Sequence, residues 1–264
     1  MSPLHLPPEI IEQIIDHLHD DRETLKSFCL VSKLFVPRTQ KYLFEDITIN
    51  NFWKLKQWSG TFPDPKKSPA YHTRSLAFCC PEYITTGDSE CGLIQSFANI
   101  TRLVVFSQSH PYSPMGLNNP LEPFHNLSLV KSLCVFYSYL PSLKIIMLIC
   151  SLPLLEDLEI EHVFGDMEVI NGWKDTSQAL TSPPLNGTLT IRQSEMNNIA
   201  HLLLALECGL HFQKIVWKAY QPKGLTQVIV HLVEACSDTL ECIYIEGVHD
   251  GEPYSFGPCK RCNF

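Results

Sequence analysis

The sequence contains no apolar run long enough to cross a membrane. Its longest uninterrupted apolar stretch is Ile145 to Cys150, whereas a membrane-spanning helix needs about 18 such residues or more. Met1 to His5 has no basic cluster, and the apolar segment of a secretory signal does not follow it. We therefore expect a soluble intracellular protein, cytoplasmic or nuclear, with no membrane partner.

The chain is also poor in positive charge. It has 20 lysine and arginine residues against 28 aspartate and glutamate residues, which gives a net charge of −8. Because nucleic-acid-binding domains normally show a basic face, we expect no nucleic-acid partner. With 45% hydrophobic and 18% charged residues over 264 positions, the composition is typical of one large or two smaller folded domains.

Sequence patterns of known catalytic sites are missing as well. There is no Gly-x-Ser-x-Gly elbow, no phosphate-binding glycine loop and no His-Glu-x-x-His. The 11 cysteines have no regular spacing, which is typical of reduced, buried thiols. Cys259 and Cys262 are half of a zinc site without a second pair. We expect that the protein is not an enzyme and that it binds no cofactor or metal. An enzyme that uses a cysteine or histidine stays open as an alternative.

Residues 6–49, which we call the head, predict three short helices that run into a strand. Pro7 and Pro8 suit the entry and first turn of a helix, where a missing N–H is tolerated. Asp20 or Asp21 is placed to cap a second helix, and Ser32 to cap a third. The apolar positions of the first helix are Ile10, Ile11, Ile14, Ile15 and Leu18.

The second and third helices add more apolar residues than three small helices can hide from one another. This surplus predicts a partner surface, and an ordinary helical cap on the following domain is the alternative. The residues concerned are Leu25, Phe28, Cys29, Phe35, Val36, Tyr42 and Leu43.

Several of these residues occur in a recognisable order. The head reads Leu6-Pro7-x-Glu9-Ile10, then Ile14, Leu18 and Leu25, then Leu30-Val31-Ser32-Lys33-x-Phe35, and then Leu43-Phe44 before a strand. Over residues 4–49 this order resembles an F-box, in particular that of the F-box proteins abundant in mushroom-type fungi. The resemblance implies binding to the Skp-type adaptor of an SCF (cullin-RING) ubiquitin ligase, and through it to a cullin. The residues that it implies for adaptor binding are Leu6, Pro7, Ile10, Ile11, Ile14, Leu25, Leu30, Val31, Ser32, Lys33 and Phe35. Pro8 and Leu34 stand at variable positions of the pattern.

Residues 50–72 read as a connecting segment with aromatic anchors. Phe52, Trp53, Trp58 and Phe62 stand among lysines and prolines. Aromatic residues interleaved with lysines also occur where single-stranded nucleic acid binds. The acidic chain favours packing at the junction with the following domain instead.

From the end of the head onward, short strand-like segments recur at intervals of 25 to 31 residues. Their central residues are Ile47, Leu76, Leu103, Leu133, Leu158, Leu189, Ile215 and Ile243. Four intervening stretches suit one helix each, namely Gly92–Ala98, Leu140–Leu152, Met196–Cys208 and Thr226–Cys236. Such a period is typical of leucine-rich repeats, and Leu152 to Ile160 resembles their Leu-Pro-x-Leu-x-x-Leu-x-Ile phrase.

We therefore predict an α/β protein, in which a three-helix F-box precedes a leucine-rich-repeat-like solenoid of helix–strand units with a parallel sheet. The repeats occupy residues 73–249, and residues 250–264 form a loop-like tail. A generic α/β domain is the alternative. Two long loops interrupt the period, and in solenoids such insertions often lie on the binding face. From these loops we take Tyr112, Met115 and Trp173 as candidate substrate contacts.

The two halves together predict the substrate-recognition subunit of an SCF-type ubiquitin ligase. The head would bind a Skp-type adaptor and the repeats would bind a protein substrate. One alternative with the same architecture is a leucine-rich-repeat scaffold that binds partners without ubiquitinating them.

Overall fold

The computed structural model describes residues 7–64, 67–80, 94–107, 121–138, 140, 142–163, 183, 185–192, 197–206, 209–219, 226–249 and 252–256. These residues form seven α-helices and nine strands, so the α/β prediction is confirmed. The helices are α1 Pro8–His17, α2 Arg22–Val31, α3 Val36–Leu43, α4 Phe52–Thr61, α5 Ser142–Ser151, α6 Asn197–Leu204 and α7 Thr226–Ala235. The strands are β1 Asp46–Ile49, β2 Ser75–Cys80, β3 Arg102–Ser107, β4 Ser132–Ser138, β5 Asp157–Val163, β6 Thr188–Arg192, β7 Lys214–Ala219, β8 Cys242–His249 and β9 Glu252–Phe256.

All nine strands form one sheet whose spatial order follows the chain order. Strands β1 to β8 are parallel, and each pairs with the strand before it. The register confirms the predicted period, because each predicted central residue is the partner of the next one. The pairs run Ile47–Leu76, Leu76–Leu103, Leu103–Leu133, Leu133–Leu158, Leu158–Leu189, Leu189–Ile215 and Ile215–Ile243.

The core of this sheet lies on the face that carries the central residues. From Leu76 to Ile215 these residues are 0% or 1% exposed. The helices pack on the same face, with fully buried residues such as Ile145, Ile199 and Leu232. Each side chain buried in this way stabilises the fold by about 1.5–3 kcal/mol. Regular spacing of leucine and isoleucine thus brings eight separate segments into register.

Helices α5, α6 and α7 fall where the sequence predicts them. Of the stretch Gly92–Ala98 that the sequence predicts as a helix, the structure describes residues 94–98, where Ile94 is α-helical and Gln95–Phe97 form a 3₁₀ turn. A similar turn at Glu122–Phe124 precedes β4. Phe97 and Phe124 are each 0% exposed, so an aromatic ring from each turn packs into the core under the sheet. No helix among the described residues is long and apolar enough to span a bilayer.

The connecting segment contains a helix, α4, that the sequence analysis missed. Asn51 caps it, since its side-chain oxygen accepts a hydrogen bond from the Lys54 N–H at 2.9 Å. The predicted packing at the junction is confirmed for Trp58. Its ring lies 5.7 Å from that of Phe44 and 5.6 Å from that of Phe97, and its Nε1–H donates to Ser68. The aromatic anchor therefore joins the head to the sheet.

The C-terminal segment departs from the predicted loop. Strand β9 pairs antiparallel with β8, with Pro253 opposite Val248 and Glu252 opposite His249. Proline argues against a central strand because it lacks an N–H, but an edge strand tolerates it. Because β9 is the last strand in the sheet order, the proline is compatible with pairing there. Cys259 and Cys262 lie outside the described residues.

Replacing Gly187 should destabilise the sheet, because a side chain has no room there. A Cβ atom at this position would lie 2.5 Å from Asp157 Oδ1 and 3.0 Å from the Glu156 carbonyl oxygen. Asp157 cannot swing away without losing the hydrogen bond that its Oδ1 accepts from the Thr188 N–H at 2.6 Å. We expect Gly187→Ala to lower the free energy of unfolding by about 1–3 kcal/mol, measured by urea denaturation.

Gly60 provides the matched control for this substitution. It lies inside α4, and a Cβ there would have no heavy atom within 4 Å. Gly60→Ala should stabilise the protein by about 0.5–1 kcal/mol, since alanine favours the helix. Equal unfolding midpoints for the two variants would contradict the packing described at Gly187.

Candidate partner-binding face of the N-terminal helices

The three helices of the head enclose a small core of their own. Ile15, Leu25 and Leu43 come one from each helix and are 1%, 0% and 8% exposed. Phe28 and Phe35 close one side of it, with ring centroids 5.6 Å apart. A core this small fixes the helices relative to one another but leaves their outer sides uncovered.

A polar cluster ties α1 to α3 beside this core. Arg38 donates from Nε to Asp16 Oδ1 at 2.7 Å and from Nη2 to Oδ2 at 2.5 Å. Tyr42 donates from its hydroxyl to Asp16 Oδ1 at 2.7 Å. The Arg38 hydrogen bonds, followed by that of Tyr42, lower the pKa of the Asp16 carboxyl from 3.8 to about 2. The hydrogen bond to Asp16, and then burial, raise the pKa of Tyr42.

The cluster predicts a pH-dependent part of the head's stability. A carboxyl whose pKa is lowered by folding stabilises the fold above its unfolded pKa, and this contribution is lost as the pH falls toward about 2. We expect Asp16→Asn to cost about 1 kcal/mol at pH 7, because solvent still screens a pair that is one-third exposed. The difference from the wild type should shrink between pH 4 and 2 in thermal unfolding followed by circular dichroism.

Asp20→Asn is the control, since the side chain of Asp20 is 93% exposed and stands outside the cluster. It should keep the wild-type pH profile. If Asp16→Asn and Asp20→Asn had the same stability at pH 7, the cluster would not stabilise the head.

Capping interactions set the ends of α2 and α3. Asp21 caps α2 as predicted, accepting from the Thr24 N–H at 3.0 Å. The prediction that Ser32 caps α3 is wrong. Its hydroxyl accepts from the Leu34 N–H at 3.3 Å, and α3 begins only at Val36, with Pro37 in its first turn. The chain from Ser32 to Phe35 is therefore a turn between two helices.

The last residues of α2, this turn and the outer side of α1 expose large apolar side chains. Leu30 is 90% exposed, Leu34 83% and Val31 75%. Ile10 and Ile14, one helical turn apart on α1, are each 41% exposed. Such exposure of neighbouring large apolar residues is typical of an interaction site. We call these five residues the outer face.

A groove of about 840 Å³ lies beside the outer face, between α1 and the turn. Its apolar lining includes Pro7, Ile11, Ile14, Phe28, Leu34 and Phe35. Glu12 and Arg38 are the charged residues of the lining, and Arg38 is already paired with Asp16. The groove can therefore accept an apolar side chain of a partner beside a ridge of exposed leucine and valine.

Most of the residues that the F-box resemblance implies for adaptor binding are accessible on this side of the head. Pro7, Ile10, Ile14, Leu30, Val31 and Lys33 are exposed, whereas Ile11, Ser32 and Phe35 are half-buried. Leu25 is not available as an adaptor contact, because its side chain is 0% exposed and lies in the head's own core. Leu34 was set aside as variable, yet it is exposed and lines the groove. Leu6 lies outside the described residues, as do Tyr112, Met115 and Trp173.

Two of the buried cysteines of the sheet domain, Cys134 and Cys236, have raised pKa values. Burial, and then the neighbouring Glu159 carboxylate, raise the pKa of the Cys134 thiol to about 12. Burial likewise raises the pKa of Cys236. Since the thiolate is the nucleophilic form, these two residues are poor candidates for a catalytic cysteine. Among the described residues, no group of three or more histidine, cysteine or acidic side chains is arranged to hold a metal ion.

Comparison with protein-family models and with curated proteins finds no match to this chain.

Proposed function

We propose that this chain is the substrate-recognition subunit of an SCF-type (cullin-RING) ubiquitin ligase. The head acts as an F-box that binds a Skp-type adaptor, and the sheet domain acts as a degenerate leucine-rich-repeat solenoid that binds a protein substrate. The observation that carries the proposal is the outer face, where Leu30, Val31 and Leu34 stand exposed beside an apolar groove.

The energetics of the outer face favour a stable complex. Burying Leu30, Val31 and Leu34 would contribute about 1.5–3 kcal/mol each. Association costs about 4–15 kcal/mol in lost freedom of motion, so these three residues offset a large part of it. Ile10, Ile14 and the groove supply further apolar area. Lys33 is exposed beside them and suits the polar rim that surrounds such contacts.

The arrangement of the sheet supports the second half of the proposal. Each parallel strand pairs with the one before it, at a period close to that of leucine-rich repeats. Units that bury their apolar faces only against their neighbours form extended stacks with a long surface for binding. The subunit itself does no bond chemistry. Inside the cell, it raises the effective concentration of a substrate lysine near the ubiquitin-charged enzyme.

Co-expression of the full chain with a Skp-type adaptor tests the proposal. Size-exclusion chromatography with native mass spectrometry should give one species with a single copy of each protein. If both proteins are folded and elute separately, the head does not bind this adaptor and the proposed function is wrong.

A further inference from the structure

The sheet has a second face, opposite the helices, which is apolar across β2, β3 and β4. Successive side chains of a strand point to opposite faces, so the residues between the buried ones share this side. Ala77, Val104 and Cys134 form one row across the strands, and Cys79, Phe106 and Phe136 form the next. None of these six residues belongs to the core cluster that contains the helices. We call them the open face.

The open face contains an aromatic pair. The rings of Phe106 and Phe136 are stacked, with centroids 5.1 Å apart and planes 27° from parallel. Both side chains are half-buried, as is Val104, whereas the smaller Cys79 and Cys134 beside them are buried, at 6% and 8% exposure. Parallel sheets are normally covered on both faces, so apolar residues on this second face favour a bound partner.

Acidic residues border the open face on β5. Glu159 stands next to Cys134 in the register, and Glu161 next to Phe136. Arg192 Nη2 lies 3.1 Å from Glu159 Oε1, and Arg192 Nη1 lies 3.9 Å from Glu161 Oε2, so one guanidinium pairs with two carboxylates. His162 Nε2 is 3.6 Å from Glu161 Oε1. Of the two carboxylates, Glu159 lies closer to Arg192, and Glu161 stands beside the aromatic pair.

The other borders of the open face do not make its surroundings positively charged. On β1 the exposed neighbours of β2 are Asp46 and Thr48, opposite Ser75 and Ala77. Arg102 is exposed at the first position of β3, at the far end of that strand from Phe106. The end of the open face that carries the aromatic rings is therefore next to acidic residues and distant from this arginine.

We propose that the open face binds an extended segment of the protein substrate in which a lysine or arginine follows an apolar side chain. The apolar side chain packs on Phe106 and Phe136, and the cation reaches Glu161. Neighbouring strands are about 4.8 Å apart, and alternate residues of an extended segment, which share one side of it, are about 7 Å apart, so the two side chains are two positions apart. A cation there also meets the ring of Phe136. The inference rests on the proposed function, in which the sheet domain receives the substrate.

An array of synthetic hexapeptides tests this inference directly. Each peptide carries a leucine or phenylalanine followed, two positions later, by arginine, glutamate or glutamine. Binding of the full chain is followed by fluorescence anisotropy. We expect the arginine peptides to bind about tenfold more tightly than the matched glutamate peptides, with a preference that weakens as salt is added. No binding by the array, or equal binding of both series, would overturn the inference.

Two glutamate variants locate the effect. Glu161→Gln should remove most of the preference for arginine, whereas Arg192 keeps its closer partner, Glu159. Glu156→Gln is the matched control, because Glu156 pairs with Lys131 at 2.8 Å and precedes β5. If the two variants had the same peptide preference, Glu161 would not be the recognition residue.

A head variant separates this inference from the proposed function. Leu30→Asp should lose adaptor binding and keep peptide binding, because Leu30 lies in α2 and the open face lies in the sheet. A wild-type chain that binds the adaptor but shows no arginine preference would overturn the inference and leave the proposed function standing. A chain that binds the peptides with this preference but does not bind the adaptor would overturn the proposed function and leave the peptide preference standing.

Discussion

Leu30→Asp is expected to abolish binding to a Skp-type adaptor without unfolding the chain. The Leu30 side chain is 90% exposed, so the free protein tolerates an aspartate there. In the complex the carboxylate would be buried against apolar groups without a partner, which costs about 3 kcal/mol or more. That cost corresponds to binding weakened by a factor of about 100 or more, measured by isothermal titration calorimetry.

Val230→Asp is the matched control for this substitution. Val230 is also an exposed apolar helix residue, 47% accessible, but it lies on α7 in the sheet domain. It should bind the adaptor as the wild type does. If Leu30→Asp bound as tightly as Val230→Asp, the outer face would not be the interface.

Leu25→Ala should also weaken adaptor binding, because it destabilises the head. Leu25 is 0% exposed in the core of the head, and truncating a buried leucine costs about 2–5 kcal/mol. The head's core is small, so we expect α1 to α3 to open while the sheet stays folded. Hydrogen exchange followed by mass spectrometry should show faster exchange in these helices and unchanged exchange in β3 to β6.

Leu30→Ala completes the comparison with Leu25→Ala. It should leave exchange in the head unchanged and weaken adaptor binding. The F-box resemblance implies both leucines for adaptor binding, but Leu25 is buried in the head's core and Leu30 is exposed. Unchanged exchange in Leu25→Ala would contradict the packing of this core.

The strand positions could be predicted because one physical requirement repeats along the chain. A parallel sheet needs an apolar residue at the centre of each strand and a connection long enough to return the chain. Leu76, Leu103 and Leu133 satisfy this at regular intervals, and the structure pairs them in that order. The 3₁₀ turns at Phe97 and Phe124 were missed because the apolar periodicity does not show how much volume one aromatic ring can fill.

The orientation of the head's side chains was harder to predict. Ile10 and Ile14 repeat at helical spacing, and so do Ile11 and Ile15, so periodicity alone cannot decide which pair faces the core. The structure buries Ile15 and exposes Ile10 and Ile14. The local sequence pattern also cannot show which residues far apart in the chain come into contact.

The Asp16 cluster illustrates this second limit. Arg38 and Tyr42 follow Asp16 by 22 and 26 positions. Only the packing of α3 against α1 brings their polar groups together. Leu34 was missed for a related reason, since its exposure depends on the turn geometry set by Ser32.

Hydrogen exchange of the chain with and without a saturating Skp-type adaptor tests the central claim most directly. We predict slower exchange in peptides that cover α1 and residues 30–34, and no change in β4 to β6. A complex whose protection lies in the sheet and leaves α1 and residues 30–34 unchanged would contradict the account.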